Sequence, residues 1–196
     1  MRGNGEAGGK RELSKKKGLI LGIAALIAVT ALIVVLVNAQ ERREYEAAAQ
    51  TACDTMTAGM RAATELGALT VEVWHDVIYG EQDNDTAAYT EGAETPRAAI
   101  DRLYTSPEGL AALAEIRESR TAIAACLPPL EDPPDRYREV YDTLQAMHAA
   151  YLVMSDFALE PTGTVLAATA ALTESFEQFD DALNEFAALL PAGGER

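Results

Sequence analysis

The chain has 196 residues, with 31 acidic against 16 basic side chains and a formal net charge of −15, and only two histidines and two cysteines. Setting aside an N-terminal tail and one apolar run leaves about 159 residues beyond Val37, enough for one compact domain with its own core and too few for two. The acidic balance argues against nucleic-acid binding, whose affinity comes largely from Lys and Arg on phosphates.

Charge is divided unevenly along the chain. Arg2, Lys10, Arg11, Lys15, Lys16 and Lys17 against Glu6 and Glu12 give the tail +4, which leaves 10 basic and 29 acidic residues, or −19, beyond Val37. Every lysine lies in that tail. Residues 1–17 are basic and Gly-rich, reading as a disordered tail that would hold an anionic inner leaflet electrostatically. Seventeen residues hold no kinase, nucleotide site or DNA-binding fold, which excludes a one-chain transmembrane receptor.

Residues 18–38 read as a transmembrane helix. The run from Leu19 to Val37 is uncharged with a single hydroxyl, Thr30, and as a helix reaches about 28 Å, close to a bilayer core of about 30 Å. Lys15, Lys16 and Lys17 at its start place the N-terminus inside and the rest outside the membrane. Its length favours an uncleaved anchor over an export signal, although Val37-Asn38-Ala39 satisfies the small-residue rule for cleavage and leaves processing after Ala39 open. Gly18 and Gly22 form a G-x-x-x-G pair that would let two copies of the helix approach as a homodimer.

Residues 39–190 read as helices throughout. Ala49, Cys53, Met56, Met60, Ala63, Leu66, Val73 and Val77 recur at steps of three and four, with Leu69 or Thr70 between, which predicts one helix continuing from the membrane to about Tyr79. Gly80 breaks it, and Glu81 to Asp85 is a solvated loop with Asp85 or Thr86 available as a cap. A short helix follows near Thr86–Tyr89. Thr95-Pro96 and Ser106-Pro107 each pair a cap with a proline at the first helical position. The second of these starts carries the stripe Leu110, Leu113, Ile116, Ile123 and Leu127, ended by Pro128-Pro129. The next helix runs from Pro134 through Tyr137, Leu144, Tyr151 and Met154 to a break at Pro161 and Gly163. The last carries Val165, Thr169, Leu172, Phe176, Phe179, Leu183, Phe186 and Leu190 at alternating steps of four and three, with Ala168 able to replace Thr169 in the core. Strand alternation is absent. The fold class is therefore all-α: a single transmembrane helix continuing into an extracytoplasmic antiparallel bundle of about four main helices, with residues 191–196 a flexible C-terminus.

The chemistry-bearing residues are few. Glu72 and His75 form a Glu-x-x-His pair on one helical face, as in carboxylate-bridged di-metal bundles, but the other histidine, His148, is preceded at that spacing by Gln145, a poor ligand for a hard di-metal centre. Glu72, His75 and His148 thus make an alternative metal set, against the simpler reading of His75 at a helix end near acidic neighbours and His148 at the edge of the core. Cys53 and Cys126, an even pair on the outer side, favour a disulfide closing a loop of about 73 residues, worth about 4 kcal/mol. No G-x-S-x-G or phosphate loop occurs, and Asp180 and Asp181, adjacent on a helix, point about 100° apart and make no dyad, so neither catalysis nor a cofactor is expected.

Leu127-Pro128-Pro129, then Pro134 with Tyr137, Tyr141 and Leu144, then Tyr151, then Glu160-Pro161-Thr162-Gly163-Thr164 and the helix from Phe176 to Phe186, resemble a C-terminal helical hairpin of small membrane-anchored or lipidated cell-surface proteins of Gram-positive bacteria. The resemblance covers roughly residues 127–190 and rests on turns and core positions. It implies an envelope-exposed helical bundle without an established activity, and no functional residue is carried over. This chain departs from the lipidated members by its uncleaved span. The expectation is an extracytoplasmic interaction or accessory module at the cell membrane, with a protein partner in the envelope; a metal-binding bundle, or a ligand-sensing bundle working with a partner chain, is the alternative.

Overall fold

The computed structural model describes residues 6–81 and 84–190, with side chains from residue 35 onward. Its described residues are all-helical, in six α-helices and two 3-10 turns. The helices are α1 (Glu6–Tyr79), α2 (Ala87–Thr90), α3 (Pro96–Thr105), α4 (Pro107–Cys126), α5 (Arg138–Leu159) and α6 (Val165–Leu189). The chain divides into two compact units, Met1–Glu44 and Tyr45–Arg196.

In the first unit, helical backbone begins at Glu6, so Glu6–Lys17 forms helix where the sequence suggests irregular chain. Glu, Lys, Arg and Leu are good helix formers, and extending an existing helix by a turn costs far less than nucleating one. Met1–Gly5 lie outside the described residues, as do Gln82, Asp83 and the C-terminal residues 191–196. The span expected at residues 18–38 falls mostly on residues whose side chains are not described; among the described residues no helix is long and apolar enough to cross a membrane.

The second unit is a bundle in which α1, α4, α5 and α6 are the long members. The α1 stripe is buried as its spacing predicts: Ala49, Cys53, Met56, Met60, Ala63, Leu66, Thr70 and Val73 all face the core. Tyr45 stacks on Tyr137, Gly59 faces Tyr151, and Gly67 faces Phe157, so paired positions on α1 and α5 advance together and these helices run parallel. On α6 the order reverses, with Leu190 near Gln50 and Phe176 near Thr64, so α6 is antiparallel to α1. This is the up-and-down arrangement that short connections impose.

Local signals set the boundaries. Gly80, with φ of 68°, ends α1 in the left-handed region that glycine adopts without strain. The Thr95 hydroxyl accepts from the Ala98 amide at 3.2 Å and the Ser106 hydroxyl from the Gly109 amide at 2.9 Å, each ahead of a proline. Thr86 stands before α2 but does not cap it; its hydroxyl donates instead to the Asp76 carboxylate on α1. The phenol of Tyr104 on α3 donates to the Ala158 carbonyl at 2.7 Å and lies 3.2 Å from the Thr70 hydroxyl, tying α3 to α5 and α1.

Two sequence expectations are corrected. The Cys53–Cys126 disulfide is not formed: both thiols are free, Cys53 buried and Cys126 half-buried, and they do not lie at disulfide distance. Helix geometry explains this. Gly59 faces Ser119 of α4, but Cys53, six residues earlier and so about 120° round the axis, faces α6 beside Leu183 and Phe186. Cys126 donates weakly to its own helix, with Sγ 3.2 Å from the Ile123 carbonyl. On α6, the buried stripe is Ala168, Leu172, Ser175, Phe179, Ala182 and Phe186. Leu172, Phe179 and Phe186 lie there as the spacing predicts and Ala168 stands in for Thr169, but Ser175 and Ala182 take the places of Phe176 and Leu183, and Phe176 is left 49% exposed.

Candidate functional site

The seam between α1 and α6 is open along much of its length. Three hollows of about 330, 250 and 460 Å³ follow one another along it. The first two share Thr64 and Phe176, and the last two share Thr57, Arg61 and Leu183, so they form one furrow. Small residues on α1, Ala58, Thr64 and Ala68, leave this volume, while Phe176 and Leu172 form the facing wall on α6. The floor is apolar, and Asp54, Glu65, Glu72 and Asp180 stand along the furrow with Arg61 between them. The Thr64 hydroxyl lies buried there with no hydrogen-bond partner among the described residues, and a buried hydroxyl left unpaired costs about 1–3 kcal/mol.

Glu72, His75 and His148 are not brought together. Glu72 is exposed on the furrow. His148, on α5, is half-buried; its own burial and the nearby Arg120 guanidinium push its pKa below the ordinary histidine value. His75 lies in the last turns of α1, its ring 4.5 Å from that of Tyr79. Its acidic neighbours at the helix end are Asp76 and Glu81: its Nδ1 is 3.6 Å from Asp76 Oδ1 and 3.9 Å from Glu81 Oε2. The signal was available in part, since Glu81 follows the glycine that turns the chain back over the helix end, and its amide donates to the Asp76 carbonyl at 3.1 Å.

The cysteines are poorly placed for nucleophilic chemistry. Burial, and then the neighbouring Asp54 carboxylate, push the Cys53 thiol up from 9.0 to about 11, and burial raises Cys126 as well. Both are therefore thiols at neutral pH, whereas a reactive cysteine needs its thiolate. Tyr45, raised to about 12 chiefly by burial and then by Tyr141 and Tyr137, is equally inert as an acid.

Fold and furrow together define an all-α bundle led by one long helix, with an open apolar seam flanked by acids. Compared with protein-family models, curated proteins and solved structures, the chain matches none.

Proposed function

We propose that this chain is a single-pass, membrane-anchored protein of the cell envelope whose extracytoplasmic bundle acts as an interaction module without catalysis, and that the α1–α6 furrow is its binding face. The observation that carries the binding role is the furrow itself: an apolar trough at a helix–helix seam, with the Phe176 ring half-exposed at its edge and the buried Thr64 hydroxyl unpaired in its wall. Core atoms are normally packed and buried polar groups paired, so a seam that is neither suits a partner that supplies the missing contacts. The anchor is supported by the sequence, through the uncharged run from Leu19 to Val37 and the lysines before it. The small-residue pair Gly18 and Gly22 would allow two copies to pair in the membrane.

A photo-crosslinking residue at Thr173, beside Phe176 on the furrow, tests the binding face in native membranes. The expected result is a discrete adduct that weakens when Phe176 is replaced by Asp. A crosslinker at Glu115, exposed on α4, is expected to give none. Equal adducts from both positions, or none from Thr173, would remove the furrow from consideration.

A further inference from the structure

We propose that His75, Asp76 and Glu81 form a binding site for one divalent first-row metal ion of the zinc type at the C-terminal end of α1. This inference is independent of the furrow and of any membrane anchor.

The donor atoms stand close to metal-binding separations. One ligand atom from each residue lies within 4.8 Å of the others. The imidazole Nδ1 is 3.6 Å from Asp76 Oδ1 and 3.9 Å from Glu81 Oε2, where two ligands of a tetrahedral zinc with bonds of about 2.0–2.1 Å stand about 3.3 Å apart. Closing to that separation brings both carboxylates a few tenths of an ångström nearer the imidazole, and Glu81, on the loop after Gly80, has a side chain that is 67% exposed.

Asp76 supplies the second and independent observation. Its residue is only 7% exposed, and a carboxylate this buried needs a positive counter-charge. Neither Asp76 nor Glu81 is paired with a lysine or arginine among the described residues; their ion-pair partner is His75. The Thr86 hydroxyl donates to Asp76 Oδ2, which fixes the carboxylate and leaves Oδ1 turned to the imidazole, beyond hydrogen-bond distance of it. A second group that orients a ligating carboxylate in this way is a usual companion of a metal ligand. The carbonyl end of α1 adds negative potential at the same place.

Ligand chemistry selects the ion. One imidazole nitrogen and two carboxylate oxygens suit zinc or a neighbouring first-row dication, with water in the remaining position, whereas calcium takes six to eight oxygens. The site uses His75 but neither Glu72 nor His148.

Titration of the detergent-solubilised full chain, stripped with chelator, against Zn²⁺ alone tests the proposal by calorimetry. The expected result is saturable binding of one ion per chain, undisturbed by excess Ca²⁺. Glu81→Gln, an exposed change that leaves the fold intact by circular dichroism, is expected to weaken binding about tenfold or more, as is His75→Ala. Glu72→Gln and His148→Ala are expected to bind as the unaltered chain does. Absence of saturable Zn²⁺ binding, affinity in Glu81→Gln and His75→Ala equal to that of the unaltered chain, or displacement by Ca²⁺ would overturn it.

Discussion

Gly59 and Thr64 stand little more than one turn apart on α1 and meet opposite surroundings. At Gly59 the helix presses so close to α4 and α5 that an added Cβ would sit 3.0 Å from both Ser119 and the Tyr151 ring, and these two side chains are themselves joined by a hydrogen bond of 2.7 Å. At Thr64 the same helix turns to α6 and leaves hollows with an unpaired hydroxyl. One helix thus carries a closed face that holds the bundle together and an open face that leaves contacts for something else. The difference comes from side-chain size on the opposing helix as much as on α1. Ala168, Ser175 and Ala182 on α6 occupy buried positions where small residues allow close approach, and this turns the bulkier Phe176 and Leu183 toward the furrow.

The comparison can be broken most sharply on α6. Phe179, 4% exposed, is expected to cost about 3–4 kcal/mol when replaced by Ala, whereas Phe176→Ala, at a ring already half in water, is expected to cost under about 1 kcal/mol by urea unfolding. Equal costs would mean that the furrow closes in solution. Gly59 and Gly67 on α1 sharpen the same contrast with opposite signs. Gly59→Ala is expected to destabilise by about 1–2 kcal/mol, because Ser119 and Tyr151 have to give way. Gly67→Ala meets Leu172, Met154 and Phe157 at 3.6–3.7 Å, ordinary contact, and is expected to stabilise by about 0.5–1 kcal/mol through helix propensity.

The smallest effect concerns pH. Cys53 sits on the furrow side, and its thiol pKa is raised from 9.0 to about 11. Between these values the unfolded chain has released the proton that the folded chain still holds, so stability is complete below pH 9 and falls as pH rises toward 11. The urea midpoint of Cys53→Ala is expected to fall less steeply across that window than that of the unaltered chain. Cys126 and Tyr45, also raised, keep some slope in the variant.

Much of this architecture is legible in the residue pattern. The α1 stripe, the glycine stop at Gly80 and the caps at Thr95 and Ser106 depend on neighbours within a turn or two, where spacing and local hydrogen bonding decide the outcome. What escapes a sequence reading depends on rotation between helices. Cys53 and Cys126 look pairable as an even pair on the outer side, yet Cys53 points about 120° away from the α4 contact. Phe176 and Ser175 are adjacent, and only the packing of α6 determines which of them is buried. Likewise, Glu72 and His75 share a helical face at the spacing of a metal motif, but the partners His75 finds are its neighbour Asp76 and, across the glycine turn, Glu81.

The central claim, an outward-facing bundle with an open α1–α6 furrow, is tested most directly by placing a lone cysteine at Phe176 in a chain carrying Cys53→Ala and Cys126→Ala, and exposing intact cells to a membrane-impermeant maleimide. Rapid labelling without permeabilisation is the expected result. Labelling only after lysis would contradict the topology, and protection that persists after lysis until the chain is unfolded would contradict the open furrow.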